Sequence, residues 1–66
     1  MTFGDNLRDL REMHGYSQLE LSKMVGVSAV AISQYEIGSR APTVFVAVKL
    51  ARILGTTVEE LVTAKE

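Results

Sequence analysis

The sequence predicts an all-α fold, a compact five-helix domain with a helix-turn-helix. Three observations predict it. Apolar residues recur at three- and four-residue spacing along several segments, no stretch alternates as a half-buried strand would, and Ser, Thr and Gly stand where helices start and stop. Sixty-six residues make one domain, spanning 1–66, with one small core. A chain of this size buries roughly 60% of the surface that its unfolded form exposes, so stability should be modest.

Helix 1 is predicted over Phe3 to His14, with Phe3, Leu7, Leu10 and Met13 facing the core and Arg8, Asp9 and Glu12 facing out. Gly15 ends it as a left-handed cap. "SQLE" is a capping box, in which Ser17 caps the backbone and Glu20 reaches back. It opens a helix that continues through Leu19, Leu21 and Met24 to Val25 and stops at Gly26. Ser28 then caps helix 3, which extends to Glu36 and stops at Gly38. Helix 4 follows "SRAP", with Thr43 as cap, and runs to Leu54. "TVEE" at 57–60 is a second capping box, opening helix 5.

Helix 4 is apolar on too many sides. Its core stripe is predicted at Val44, Ala47, Val48, Ala51 and Leu54, which leaves Val46, Leu50 and Ile53 as a second apolar row and places Phe45 near Lys49 and Arg52 on a third. A small domain cannot easily bury all of these. The surplus predicts a homodimer whose interface includes Phe45, Val46, Ile53, Val58, Leu61 and Val62.

Composition excludes several classes of function. There is no Cys, and the lone His14 cannot hold a metal by itself, so no metal or cofactor is expected. His14 instead suits a helix C-terminus, where the dipole favours it. The chain lacks a phosphate-cradling glycine loop and any paired carboxylates beside a pocket, so it is not expected to be an enzyme, and no small-molecule ligand is evident. The longest apolar run, Val44 to Val48, falls far short of the ~20 residues that span a bilayer, and the N-terminus lacks a signal peptide's pattern. No membrane association and a cytoplasmic location are expected.

A net charge of −1 argues mildly against nucleic acid, because phosphate contacts dominate such affinity. Placement matters more than the sum. Asp5, Glu20, Glu59 and Glu60 all sit in first turns, where the helix dipole welcomes a carboxylate. Two short helices meeting at a glycine turn, packed among three others, have the geometry of a helix-turn-helix reader. With Ile32 turned to the core, Tyr35 and Ser28 lie near it, Ala29 lies at the rim, and Val30, Ser33, Gln34 and Ile37 point away. That outward face is small, apolar and amide-bearing. It fits a major groove without pressing acids on phosphate, and it also fits a poorly charged surface helix or a protein-binding ridge.

The stretch "RDLREMHGYSQLELSKMVGVSAVAISQYEIGSRAPTVFVAVKLARILGTTVEEL" resembles the lambdoid phage repressor and Cro family, also called the XRE family. "YSQLELSKMVGVS", "ISQYEIG", "AP" and "LARILGTTVEEL" carry the resemblance through their order and spacing, over nearly the whole chain. It implies a cytoplasmic, sequence-specific regulator of transcription, a repressor that binds a double-stranded DNA operator as a homodimer with helix 3 as the reader. Ala29, Val30, Ser33 and Gln34 then face the bases. Val30 would meet a thymine methyl and Gln34 an adenine edge, selecting an A·T-containing half-site. Gln18 resembles the family's glutamine that touches the DNA backbone and braces helix 3. Arg40 resembles a backbone-contacting position; Ser17, Ser28, Ser39 and Arg8 are secondary candidates, and Lys23 fits either a DNA contact or a solvated charge. Arg11 and Glu36 match the family's partly buried ion pair, which accounts for a carboxylate at a helix C-terminus beside DNA. The alternative function is a protein-interaction or antitoxin-like module on the same fold.

Overall fold

The computed structural model describes residues 2–63. Within them the chain forms α1 (Phe3–Met13), α2 (Gln18–Val25), α3 (Ala29–Ile37), α4 (Val44–Ile53) and α5 (Val58–Val62), with no strand among the described residues. Every helix starts on a hydroxyl cap. Thr2, Ser17, Ser28, Thr43 and Thr57 each accept the N–H three residues on, at 2.9–3.3 Å. Each bond satisfies one of the donors that a helix start leaves orphaned. At α1 and α2 the box is reciprocal, the carboxylates of Asp5 and Glu20 accepting from the backbone N–H of Thr2 and Ser17. In α5 the Glu60 carboxylate also accepts from the Thr56 hydroxyl at 2.6 Å.

The turn between α2 and α3 depends on Gly26. Its φ of 89° is left-handed, and its N–H closes on the Ser22 carbonyl at 2.8 Å, so α2 ends abruptly and Ser28 starts α3 at once. The core beneath is Leu7, Leu21, Val25, Ala31, Ile32, Tyr35, Leu50, Ala51, Leu54 and Leu61. All five helices contribute to it.

Two polar or backbone features lock α1 in place. A Cβ on Gly4 would overlap the Glu36 carbonyl oxygen and stand 2.7 Å from that of Tyr35, so α1 and α3 approach to a distance that only glycine permits. Buried Asn6 donates from Nδ2 to the carbonyls of Leu61 (2.9 Å) and Thr63 (3.2 Å), satisfying acceptors at the end of α5. At the other end of α1, His14 stands just past the helix. Its Nε2 donates to the Leu54 carbonyl at 2.9 Å, and its ring stacks on Tyr16 with centroids 5.5 Å apart. His14 therefore ties α1 to the end of α4, beyond the helix-dipole role expected of it.

The boundaries match the sequence reading to within a residue, but several side-chain assignments differ. Met13 is 79% exposed, and Leu19 and Met24 are also exposed. In α4 the core side is Ala47, Leu50, Ala51 and Leu54, while Val44 is 76% exposed. Almost every position of this helix is apolar, so hydrophobic spacing fits several rotations equally well, and only contact with α2 and α5 selects one. Of the residues expected at a dimer interface, Leu61 is fully buried in its own core and has no surface to offer. Val46, Ile53 and Val58 are half-buried against that core, leaving Phe45 and Val62 exposed.

Candidate nucleic-acid interface

The α2–α3 unit is held by one buried carboxylate. Glu36, whose side chain is 2% exposed, accepts from Arg11 Nε at 2.6 Å and Arg11 Nη2 at 3.1 Å, and Gln18 Nε2 adds a third bond at 3.0 Å. The remaining guanidinium nitrogen, Nη1, donates to the Tyr16 carbonyl at 2.9 Å. One carboxylate thus joins α1, the start of α2 and the end of α3. Its hydrogen bonds to Arg11 raise the guanidinium's pKa, against the opposing effect of burial. Arg11 and Glu36 meet as the sequence implied. Gln18 braces the junction with one N–H, and its amide keeps a second N–H for an outside acceptor.

The outward face of α3 carries no charge. Val30 is 65% and Ile37 71% exposed, while Ala29, Ser33 and Gln34 are half-buried along the same helix. Val30 is therefore not core. Ala31, Ile32, Tyr35 and Glu36 form the buried side. The hydroxyl oxygens of Ser17 and Ser28 are occupied as caps, which leaves their O–H protons to donate. Ser39 Oγ lies 3.5 Å from the Gln34 carbonyl, and Arg40 beside it is exposed.

Local charge differs from the sum over the chain. Between residues 17 and 40 the acids are Glu20 and Glu36, the bases Lys23 and Arg40. Glu20 is engaged in its capping box and Glu36 is buried in its ion pair, whereas Lys23 and Arg40 have no ion-pair partner among the described residues. Elsewhere Arg8 pairs with Asp5 at 3.3 Å. The face presented by α2 and α3 is thus uncharged to weakly basic, and the overall charge of −1 is no obstacle to phosphate.

Sequence reasoning missed Gly4 and Asn6, which set the angle at which α1 supports α3 and α5. Gly4 carried a signal, because a glycine inside a helix costs about 1 kcal/mol relative to alanine and needs a packing reason. Asn6 carried none, since nothing in its neighbourhood shows that the end of α5 lies across from it.

A family model described as helix-turn-helix matches residues 7–61. Among solved structures, the P22 c2 repressor protein in complex with a synthetic operator superimposes with a TM-score of 0.94 at 32% identity, over 98% of each chain. An uncharacterized HTH-type transcriptional regulator of Archaeoglobus fulgidus is 36% identical over 55 residues, which is 83% of this chain and 79% of that protein. A Thermococcus kodakarensis protein, provisionally named an HTH-type transcriptional regulatory protein, is 42% identical over 57 residues, or 86% of this chain. The match spans only 18% of that relative's length. With a family model spanning residues 7–61 and a relative 36% identical over 79% of its own length, the chain belongs to the helix-turn-helix family of the lambdoid repressor and Cro, or XRE, type.

Proposed function

We propose that this chain is a cytoplasmic, sequence-specific DNA-binding regulator of transcription, a repressor that lays α3 in the major groove of an A·T-containing operator half-site. The observation that carries this reading is the uncharged, exposed outer face of α3, braced from behind by the hydrogen bonds of the Arg11–Glu36–Gln18 junction. The P22 c2 repressor, with which it shares this fold, was solved on an operator. In the proposed arrangement Val30 meets the C5-methyl of a thymine, the only apolar feature the major groove displays. Gln34, about one turn further along, pairs bidentately with adenine N6 and N7, while Ala29 and Ser33 permit close approach. Ser17, Gln18, Ser28, Ser39 and Arg40 hold the DNA backbone and set the register.

The same reading includes a homodimer, on a patch that keeps Val58 and Val62 of the interface the sequence suggested and adds Ile37 and Val44. Ile37, Val44 and Val62 are exposed around a groove of about 600 Å³ floored by Pro42 and Ala47. Two copies meeting there about a two-fold axis would bury that surface and set two α3 helices about 34 Å apart, facing successive major grooves.

Selection from random duplexes followed by sequencing tests the reading, with a two-fold, A·T-containing site as the expected product. Replacing thymine by uracil, which lacks the methyl, should then cost wild type about 1 kcal/mol at one position per half-site, while Val30→Ala is indifferent there and melts normally. Failure to retain any duplex sequence in preference to others would overturn it in favour of a protein-binding module.

A further inference from the structure

Away from the α3 face, two surfaces carry charge beside exposed apolar side chains, and their chemistry is reciprocal. Phe45, 82% exposed, lies with Lys49 and Arg52 on the side of α4 opposite Ala47, Leu50, Ala51 and Leu54, at i, i+4 and i+7. This is a basic stripe with an aromatic knob. Between α1 and α5 lies a groove of about 770 Å³ whose apolar wall is Leu10 and Met13 and whose rim includes Asp9, Glu59 and Glu60. Lys49, Arg52, Asp9 and Glu59 have no ion-pair partner among the described residues.

We infer that the α4 stripe of one copy docks into the α1–α5 groove of a second copy, with Phe45 against Leu10 and Met13, and Lys49 and Arg52 facing Asp9 and Glu59. Burying an aromatic ring beside a methionine sulfur supplies the apolar contact, and opposite charges on stripe and rim orient it. Knob and groove share no residue, so the contact is head-to-tail and leaves each pair of copies with one free stripe and one free groove. Neither surface uses the outer face of α3 or the groove bounded by Ile37, Val44 and Val62. If the DNA reading holds, neighbouring dimers on adjacent sites can therefore touch through it and bind cooperatively.

The test needs no DNA, so its outcome is separable from that reading. Sedimentation of the chain carrying Val62→Asp, which disables the proposed symmetric interface, should show a mass that rises with concentration at low salt. The rise should vanish near about 1 M salt, where screening acts within about 3 Å. Lys49→Glu with Arg52→Glu, or Asp9→Lys with Glu59→Lys, should each weaken this association by about tenfold or more. An equimolar mixture of the two should restore it, because the acidic stripe of one then faces the basic groove of the other. Phe45→Ala supplies a charge-independent check with the same expected loss, and circular dichroism melting confirms that each variant is folded. A chain that stays monomeric at low salt overturns the inference, as do charge variants that associate like wild type, or a mixture no better than its components. Binding of the stripe to nucleic acid or to an unrelated acidic peptide, with no self-association, overturns it too.

Discussion

Helices α3 and α4 are both rich in apolar residues, yet they place their charges in opposite ways. α4 buries Ala47, Leu50, Ala51 and Leu54, leaves Val44 and Phe45 exposed, and turns its charges, Lys49 and Arg52, to water as the usual rule has it. α3 inverts the rule for charge: it exposes Val30 and Ile37 as α4 exposes Val44 and Phe45, but it buries its one charge, Glu36. The difference teaches that a charge is positioned by its partner. Glu36 is inside because Arg11 and Gln18 are there to receive it, and its burial leaves the outer face of α3 without a carboxylate to repel phosphate. The stability of the junction and the neutrality of the outer face of α3 are consequences of one placement.

The comparison breaks most visibly at the inverted charge. Arg11→Ala or Glu36→Ala should each destabilise the fold by about 3–5 kcal/mol, because each leaves the other buried and unpaired. The double variant should cost less than the sum of the two, and denaturant midpoints around the full cycle measure the coupling. Strictly additive, small effects would mean that the pair is solvated and that α3 is not inverted at all.

On the other side of the comparison stands the rotation of α4. Leu50→Ala should cost about 2–5 kcal/mol, the usual range for truncating a buried leucine, whereas Val44→Ala should stay within about 0.5 kcal/mol in thermal melts of the dilute chain. Reversed magnitudes would restore the rotation suggested by hydrophobic spacing and remove Val44 from the proposed dimer groove.

The smallest effect concerns acid. The Thr2 backbone N–H, with lesser help from the Thr2 hydroxyl and Arg8, holds the Asp5 carboxyl below the ordinary aspartate value. A carboxyl depressed on folding contributes stability above its unfolded pKa and loses it as pH falls through the folded one. Wild type should therefore exceed Asp5→Asn in melting temperature at neutral pH, with the gap closing below about pH 4. The raised pKa of Arg11 works the other way, its contribution fading only at strongly alkaline pH, so it leaves this acid window untouched.

Much of this architecture was legible in the chain. The caps at Ser17, Ser28, Thr43 and Thr57 and the stop at Gly26 marked the helices because their chemistry is local, each satisfying backbone groups a few residues away. Glu36 announced a partner because a carboxylate is unfavourable at a helix C-terminus, and the resemblance to the repressor family pointed to Arg11. Val30 stood out as apolar where a surface residue was expected. Less legible was Leu61, assigned to an interface from the surplus of apolar side chains, whereas Phe45 lies beside Lys49 and Arg52 as the spacing placed it. Leu61 proved to be core.

The sequence by itself determined the five helices, their starts and stops, the family, and the residues facing outward from α3. Those follow from hydrogen-bond chemistry and periodicity within about a dozen residues. Only the tertiary structure decided which side of α4 is buried, that Asn6 reaches the end of α5 and that His14 reaches Leu54. It also decided that Gly4 lets α1 meet the backbone of α3. Each of these depends on how helices far apart in the chain approach one another, and a helix that is apolar on most of its sides carries little record of which neighbour will cover it.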